Sequence, residues 1–141
     1  MGKRGVIKQK SKEHMPFGFK ISGNVICVDA EDTLREAASI LAKHNIGVVV
    51  VKANFRLVGI LSERDFIKRL ICKDRSPYTT HVKDIMTKKV VTVNLNEGLE
   101  KIHRKMRLIK FRHLPIVHND QVVGILSNRD LMYLRKLKLN T

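Results

Sequence analysis

Tryptophan is absent, and the chain has only five Phe and two Tyr in 141 residues. Large aromatic stacking surfaces are therefore scarce. Only two cysteines occur, Cys27 and Cys72, and they form no Cys-x-x-Cys pair. Cys27 sits among Val25, Ile26 and Val28, and Cys72 lies near the end of an expected helix. That fits two packed free thiols in a reducing cytoplasm, although one disulfide between them is also compatible with the sequence. No apolar run approaches the roughly 18 residues of a membrane-spanning helix. The basic N-terminus has no apolar h-region, so no secretory signal is expected.

Recognisable catalytic patterns are missing too. There is no Walker loop, no nucleophile elbow and no pair of carboxylates assignable to one cleft. Ser62 and Ser127 have no adjacent base. The six histidines form no His-x-x-x-His or Cys/His cluster, so no metal site is expected. The expectation is a non-enzyme with no catalytic cofactor.

What is abundant is positive charge. Lys and Arg number 28 against 13 acids, a formal net charge of +15. Residues 1–20 hold six cations against one acid, residues 21–78 nine against seven, and residues 79–141 thirteen against five. The excess lies in the N-terminal stretch and the last third of the chain. Such a surface attracts nucleotides, nucleic acids or an acidic partner. Hydrophobic residues make up 43%, enough for a packed soluble core.

The chain also repeats itself. Gly59-Ile60-Leu61-Ser62-Glu63-Arg64-Asp65 returns 65 residues later as Gly124-Ile125-Leu126-Ser127-Asn128-Arg129-Asp130, changed only at Glu63/Asn128. Each copy follows an apolar run, Leu57-Val58 or Val122-Val123. Each reads as a buried strand, a turn and a helix start. Glycine inside the strand marks a place where a backbone or ligand comes close. Ser62 and Ser127 are N-cap residues with an Asp three positions later. One reading is a variant capping box. Another is a phosphate site at a helix N-terminus, with the Asp accepting from a ribose diol. The two are compatible.

The remaining pattern repeats around the heptads. In the first copy it gives a strand at Val25–Val28, a helix from Leu34 capped by Asp32 or Thr33, a strand at Ile46–Val51, a strand at Leu57–Ser62, and a helix from Glu63 to about Lys73. Thr33 and Glu36 fit a capping box. In the second copy it gives strand 90–93, helix 97–109, strand 114–117, a tight turn at His118-Asn119-Asp120, strand 122–126 and helix 128–138. Residues 1–14 read as a mobile basic arm, within an arm and lead-in over 1–18. The repeats cover 19–78 and 79–141. Lys101, Arg104, Lys105 and Arg107 are expected to face water on the second copy's first helix, with Ile102, Met106 and Ile109 inward.

Paired Gly-hydrophobic-hydrophobic-Ser-x-x-Asp motifs at this spacing resemble cystathionine-β-synthase-type (CBS) domains joined in tandem, a Bateman module. Asp84-Ile85-Met86-Thr87 and His113-Leu114-Pro115-Ile116-Val117 are similar to the family's usual opening phrase and second strand. The first copy departs at both places, with Phe19-Lys20-Ile21-Ser22 and Val48 to Val51. The resemblance implies an α+β fold, sandwich-like, of two β-α-β-β-α repeats with pseudo-two-fold symmetry. It implies a non-catalytic regulatory module that binds an adenosine nucleotide (AMP, ADP or ATP) between the repeats and signals its occupancy to a regulated protein. Asp65 and Asp130 would hold ribose, and Ser62, Ser127, Arg64 and Arg129 would lie near phosphate. On the family's pattern Thr87, Lys88, Phe111 and Arg112 share the first heptad's cleft. Ser22, Ile46 and Gly47 share the second's. Lys110 would reach phosphate, and His113, beside Arg112, would touch the ligand. The resemblance also implies a cytoplasmic homodimer formed through the helices beside the heptads. The alternative is a basic adaptor for nucleic acid or an acidic protein, with the CBS pair as scaffold.

Overall fold

The computed structural model describes residues 5–8, 24–108, 113–126 and 128–139. From Ile26 onward the chain divides at Val90 into two compact units, and Lys8, Asn24 and Val25 group with the second. Each has its own hydrophobic core.

The first unit's sheet has the strand order β1 (Gly5–Lys8), β2 (Asn24–Asp29), β3 (Val48–Ala53), β4 (Arg56–Ser62). Residues 5–8 of the expected mobile basic arm form an edge strand, Gly5-Val6-Ile7-Lys8, as its β-branched pair favours, and the rest of that arm lies outside the described residues. β2 and β3 run parallel, Cys27 beside Val50, so a helix must cross over between them. That helix is α1 (Leu34–His44). Thr33 caps it: its Oγ1 accepts from the Glu36 amide at 3.2 Å, and the Glu36 carboxylate accepts from the Thr33 amide at 3.3 Å. Asn45 ends it in the left-handed region, φ 52°. The Ile46 amide then reaches back to the Leu41 carbonyl at 3.1 Å. Ile46 is thus part of the helix stop, and β3 begins two residues later than its apolar run suggests. Leu34, Ala37 and Leu41 face Val28, Val49, Val51 and Leu61 in the core.

β3 and β4 form an antiparallel hairpin. Its turn residues Asn54 and Phe55 both have positive φ, 50° and 66°. That combination matches the right-handed twist of the flanking strands. Beyond β4, the expected single helix is three pieces: α2 (Glu63–Asp65), a π-helical turn over Phe66–Leu70 and a 3₁₀ turn over Ile71–Lys73. The chain returns through α3 (Val82–Ile85), whose Val82 and Ile85 join the same core.

The second unit repeats the plan. β5 (Val93–Asn94) is parallel to β6 (Leu114–His118), which is antiparallel to β7 (Gln121–Leu126). α4 (Leu99–Leu108) and α5 (Asn128–Leu139) supply Ile102, Met106 and Leu134 to the core. The correspondence reaches fine detail. Register slips between Val51 and Lys52 in one hairpin and between Ile116 and Val117 in the other, positions 65 apart. Asn119 and Asp120 have φ of 50° and 61°, as Asn54 and Phe55 do. The fold is α+β, with two β-α-β-β-α repeats.

Lys105 departs from the expected solvent-facing role. Its Nζ donates to the Thr92 carbonyl at 2.7 Å and to the Glu97 carboxylate at 2.6 Å. α4 correspondingly starts at Leu99 rather than at Glu97.

Candidate functional site

The first heptad is built by β4 running into α2. Ser62 has extended backbone, and its Oγ accepts from the Asp65 amide at 3.3 Å. Asp65 Oδ2 accepts from the Ser62 amide at 3.0 Å and from its hydroxyl at 3.2 Å. The capping box is therefore present in full. Burial to 7% exposure makes these partners necessary, because a buried carboxylate without them is costly.

The box is not all that the carboxylate does. The Thr87 hydroxyl donates to Asp65 Oδ1 at 3.3 Å. Thr87 gets there because its backbone pairs with Ile60 in both directions, at 3.0 and 2.8 Å. That approach needs a bare Cα at position 59. A Cβ on Gly59 would lie 2.7 Å from Met86 Sδ and 2.9 Å from the Thr87 carbonyl oxygen. The heptad glycine thus admits the lead-in backbone of residues 86–87. Arg69 completes the arrangement. Its Nε lies 3.8 Å from Asp65 Oδ1, and its Nη1 donates to the carbonyls of Ile85 (3.0 Å) and Met86 (3.1 Å). Nothing in the motif named Arg69. Its only sequence signal is the i, i+4 spacing from Asp65, which puts the pair on one helical face.

Ser62, Asp65 and Thr87 are thus together within one unit. Arg64 and Lys88 are exposed beside them in sequence. Ile46 is half-buried and Gly47 exposed where β3 begins; the Gly47 carbonyl accepts from the Glu63 amide at 2.9 Å. In the second unit Arg129 is exposed, and Asp130 and His113 are half-buried. Ser22, Lys110, Phe111, Arg112 and Ser127 lie outside the described residues.

A groove of about 420 Å³ opens elsewhere on the first unit, between α1 and the turn after the heptad. Ala38, Ala42, Ile46, Glu63, Phe66 and Ile67 are among its walls, whereas Ser62, Asp65 and Thr87 are not. Among the described residues no group of His, Cys, Asp and Glu could hold a metal. Both cysteines are free, Cys27 buried and Cys72 exposed. No described helix is long and apolar enough to cross a membrane.

Comparison with known proteins places this geometry. The chain is 35% identical over 107 residues to the CBS domain-containing protein YhcV of Bacillus subtilis, a match covering 76% of each. It is 32% identical to the mitochondrial CBS domain-containing protein CBSX3 of Arabidopsis thaliana, matching 82% of this chain but only 58% of that one. Among solved structures, the CBS domain pair of protein MJ0100 in complex with 5′-methylthioadenosine and S-adenosyl-L-methionine superposes with a TM-score of 0.69. It is 29% identical, over 84% of this chain and 93% of that one. The CBS domain model itself matches twice, at residues 20–72 and 82–136. With two matches that take in both heptads, the chain belongs to the CBS domain family as a tandem pair.

Proposed function

We propose that the chain is a non-catalytic regulatory module whose first heptad recognises the ribose of an adenosine nucleotide of the AMP, ADP or ATP class. The observation that carries this reading is the buried Asp65 carboxylate, held in place by Ser62, with the Thr87 hydroxyl as the hydrogen-bond donor to Oδ1 and the Arg69 guanidinium 3.8 Å from it. A ribose diol offers the same kind of donor, and offers two of them. The relative with bound methylthioadenosine and S-adenosylmethionine supports the ligand class. Arg64 and Lys88, both exposed, supply charge for phosphate.

Transmission follows from the same contacts. A diol that takes over Asp65 Oδ1 releases the Thr87 hydroxyl, while Arg69 still holds the carbonyls of Ile85 and Met86. Occupancy is thereby read by the segment that joins the two repeats, and through it by a regulated protein. The module acts as a cytoplasmic homodimer through the helices beside the heptads. Ile67 and Ile71, exposed at 55% and 65%, supply an apolar face that a second copy would cover.

The test is a thermal-shift panel with AMP, ADP, ATP, S-adenosylmethionine and tripolyphosphate. A ligand at 100 times its Kd stabilises the fold by about 2.7 kcal/mol. A shift from an adenosine compound and not from tripolyphosphate, lost in Asp65→Asn, is the expected result. Equal shifts from every anion would overturn the assignment.

A further inference from the structure

The repeat supplies an internal control for surface charge. On α4, Lys101, Arg104 and Arg107 are exposed and recur at three-residue spacing. Among the described residues none of the three has an ion-pair or hydrogen-bond partner. Lys105 on the same helix is consumed internally by Glu97 and Thr92. The equivalent positions on α1, 65 residues earlier, are Glu36, Ser39 and Ala42. The same helix on the same sheet therefore needs no cation at any of these places. The stripe is a feature of the second unit and not of the fold.

We propose that this stripe is a docking surface for the phosphodiester backbone of a nucleic acid, held without base preference. Six residues separate Lys101 from Arg107, so the cations span about 9 Å of helix. A nucleic-acid strand presents a phosphate about every 3.4 Å along its axis, so roughly three fall within that length. Three-residue spacing steps the cations about 60° around the helix each time, a slanted band that suits a backbone crossing the helix obliquely, with exposed Glu100 on the same flank. The surrounding charge favours the same partner, since residues 79–141 carry thirteen cations against five acids. Binding by phosphate contacts alone is weak in high salt and tolerant of sequence. None of the three cations belongs to either heptad, so the two readings are tested separately.

Fluorescence anisotropy of labelled 20-nucleotide oligo(U) and a 20-base-pair duplex, from 50 to 200 mM salt, tests this on the full chain. Each phosphate contact contributes about 0.7 to the slope of log K against log salt for a single strand, so three contribute about 2. Lys101→Glu/Arg104→Glu/Arg107→Glu should flatten the slope by about 2 and weaken binding at 50 mM salt by tenfold or more. Lys101→Gln/Arg104→Gln/Arg107→Gln should do the same without charge reversal, its fold checked by circular dichroism. The matched control Lys43→Glu/Lys73→Glu/Arg75→Glu removes the same charge from exposed sites on the first unit and should keep affinity within about threefold. Equal losses in the α4 glutamate variant and in the matched control would show diffuse attraction and overturn the stripe. Absence of binding at 50 mM salt would do so as well. Displacement by poly-glutamate as effective as by unlabelled oligonucleotide would assign the surface to an acidic protein instead. Asp65→Asn should bind oligonucleotide as the wild type does, so failure of the adenosine reading and failure of this one are separate results.

Discussion

The core slot of the last helix is filled by Leu134 in the second unit and by Leu70 in the first, at 0% and 4% exposure. The 65-residue offset pairs Leu134 with Arg69, one position earlier. The helices explain the slip. α5 is continuous from Asn128 to Leu139, whereas the first unit passes through a π turn at Phe66–Leu70. A π turn closes i to i+5 and so takes in one more residue than an α turn. The extra residue carries Leu70 into the core and leaves Arg69 on the flank, where it reaches Asp65, Ile85 and Met86. In the second unit the backbone at that position has another use. The Leu134 carbonyl accepts from Nε2 of the buried His103 at 2.8 Å, which fixes Nε2 as the protonated nitrogen. His103 stands where the first unit has Ala38, a residue lining the open groove. One frame thus ties its last helix to a neighbouring segment, and the other ties its last helix to its own first helix.

The largest expected effect probes the close approach behind Asp65. Gly59→Val should cost about 3 kcal/mol in urea unfolding, because its Cβ meets backbone and sulfur that cannot both move aside. Gly124→Val makes the comparison. A clearly smaller loss there would confine the backbone approach to the first unit. An equal loss would show that both heptad glycines admit a neighbouring strand.

Asp65→Asn comes next. It keeps an oxygen for the cap but loses the charge and one of two acceptors. Charged hydrogen bonds are worth about 1.5–3 kcal/mol, so affinity for the adenosine ligand should fall by about ten- to a hundredfold, read by calorimetry. Asp130→Asn, measured in parallel, reports whether the second heptad is an equivalent site or a vestige of the repeat.

Arg69→Met should cost less, about 1 kcal/mol, since the guanidinium is half exposed and its hydrogen bonds compete with water. Its sharper readout is hydrogen exchange. Amides of residues 85–87 should lose protection in the variant while those of α5 stay unchanged. Unchanged exchange at 85–87 would remove Arg69 from the link between the heptad and the lead-in.

The order of these effects mirrors what was legible in the sequence. Gly59, Ser62 and Asp65 could be read because their roles are local: a bare Cα in a strand, an N-cap, and a carboxylate three residues on. The Thr33–Glu36 capping box and the two hairpins were visible for the same reason. Thr87 came only with the family resemblance, because its partner Asp65 is 22 residues away. Arg69 and the π turn were not readable. The pattern Phe66, Ile67, Leu70, Ile71 satisfies an ordinary amphipathic helix, and only the non-local draw of the Ile85 and Met86 carbonyls distinguishes a turn with one residue more. Lys105 was misplaced for a related reason. Helical spacing put it toward water, and the Glu97 carboxylate drew it back.

The smallest effect tests the likeness of the two hairpins directly. Phe55 and Asp120 occupy the same left-handed turn position, with φ of 66° and 61°. A bulky side chain is strained there, while Asp tolerates the region through local hydrogen bonding. Phe55 is 64% exposed, so its ring recovers little of that strain by burial. Phe55→Asp should therefore stabilise the protein by about 0.5–1 kcal/mol, and Asp120→Phe should destabilise it by a similar amount. Thermal melts of the two variants suffice. If Phe55→Asp lowers stability instead, the ring is buried by something outside the isolated chain. Repeating the melts across a range of protein concentrations then decides whether that cover is a second copy: the loss would shrink on dilution, as the dimer that shields the ring dissociates.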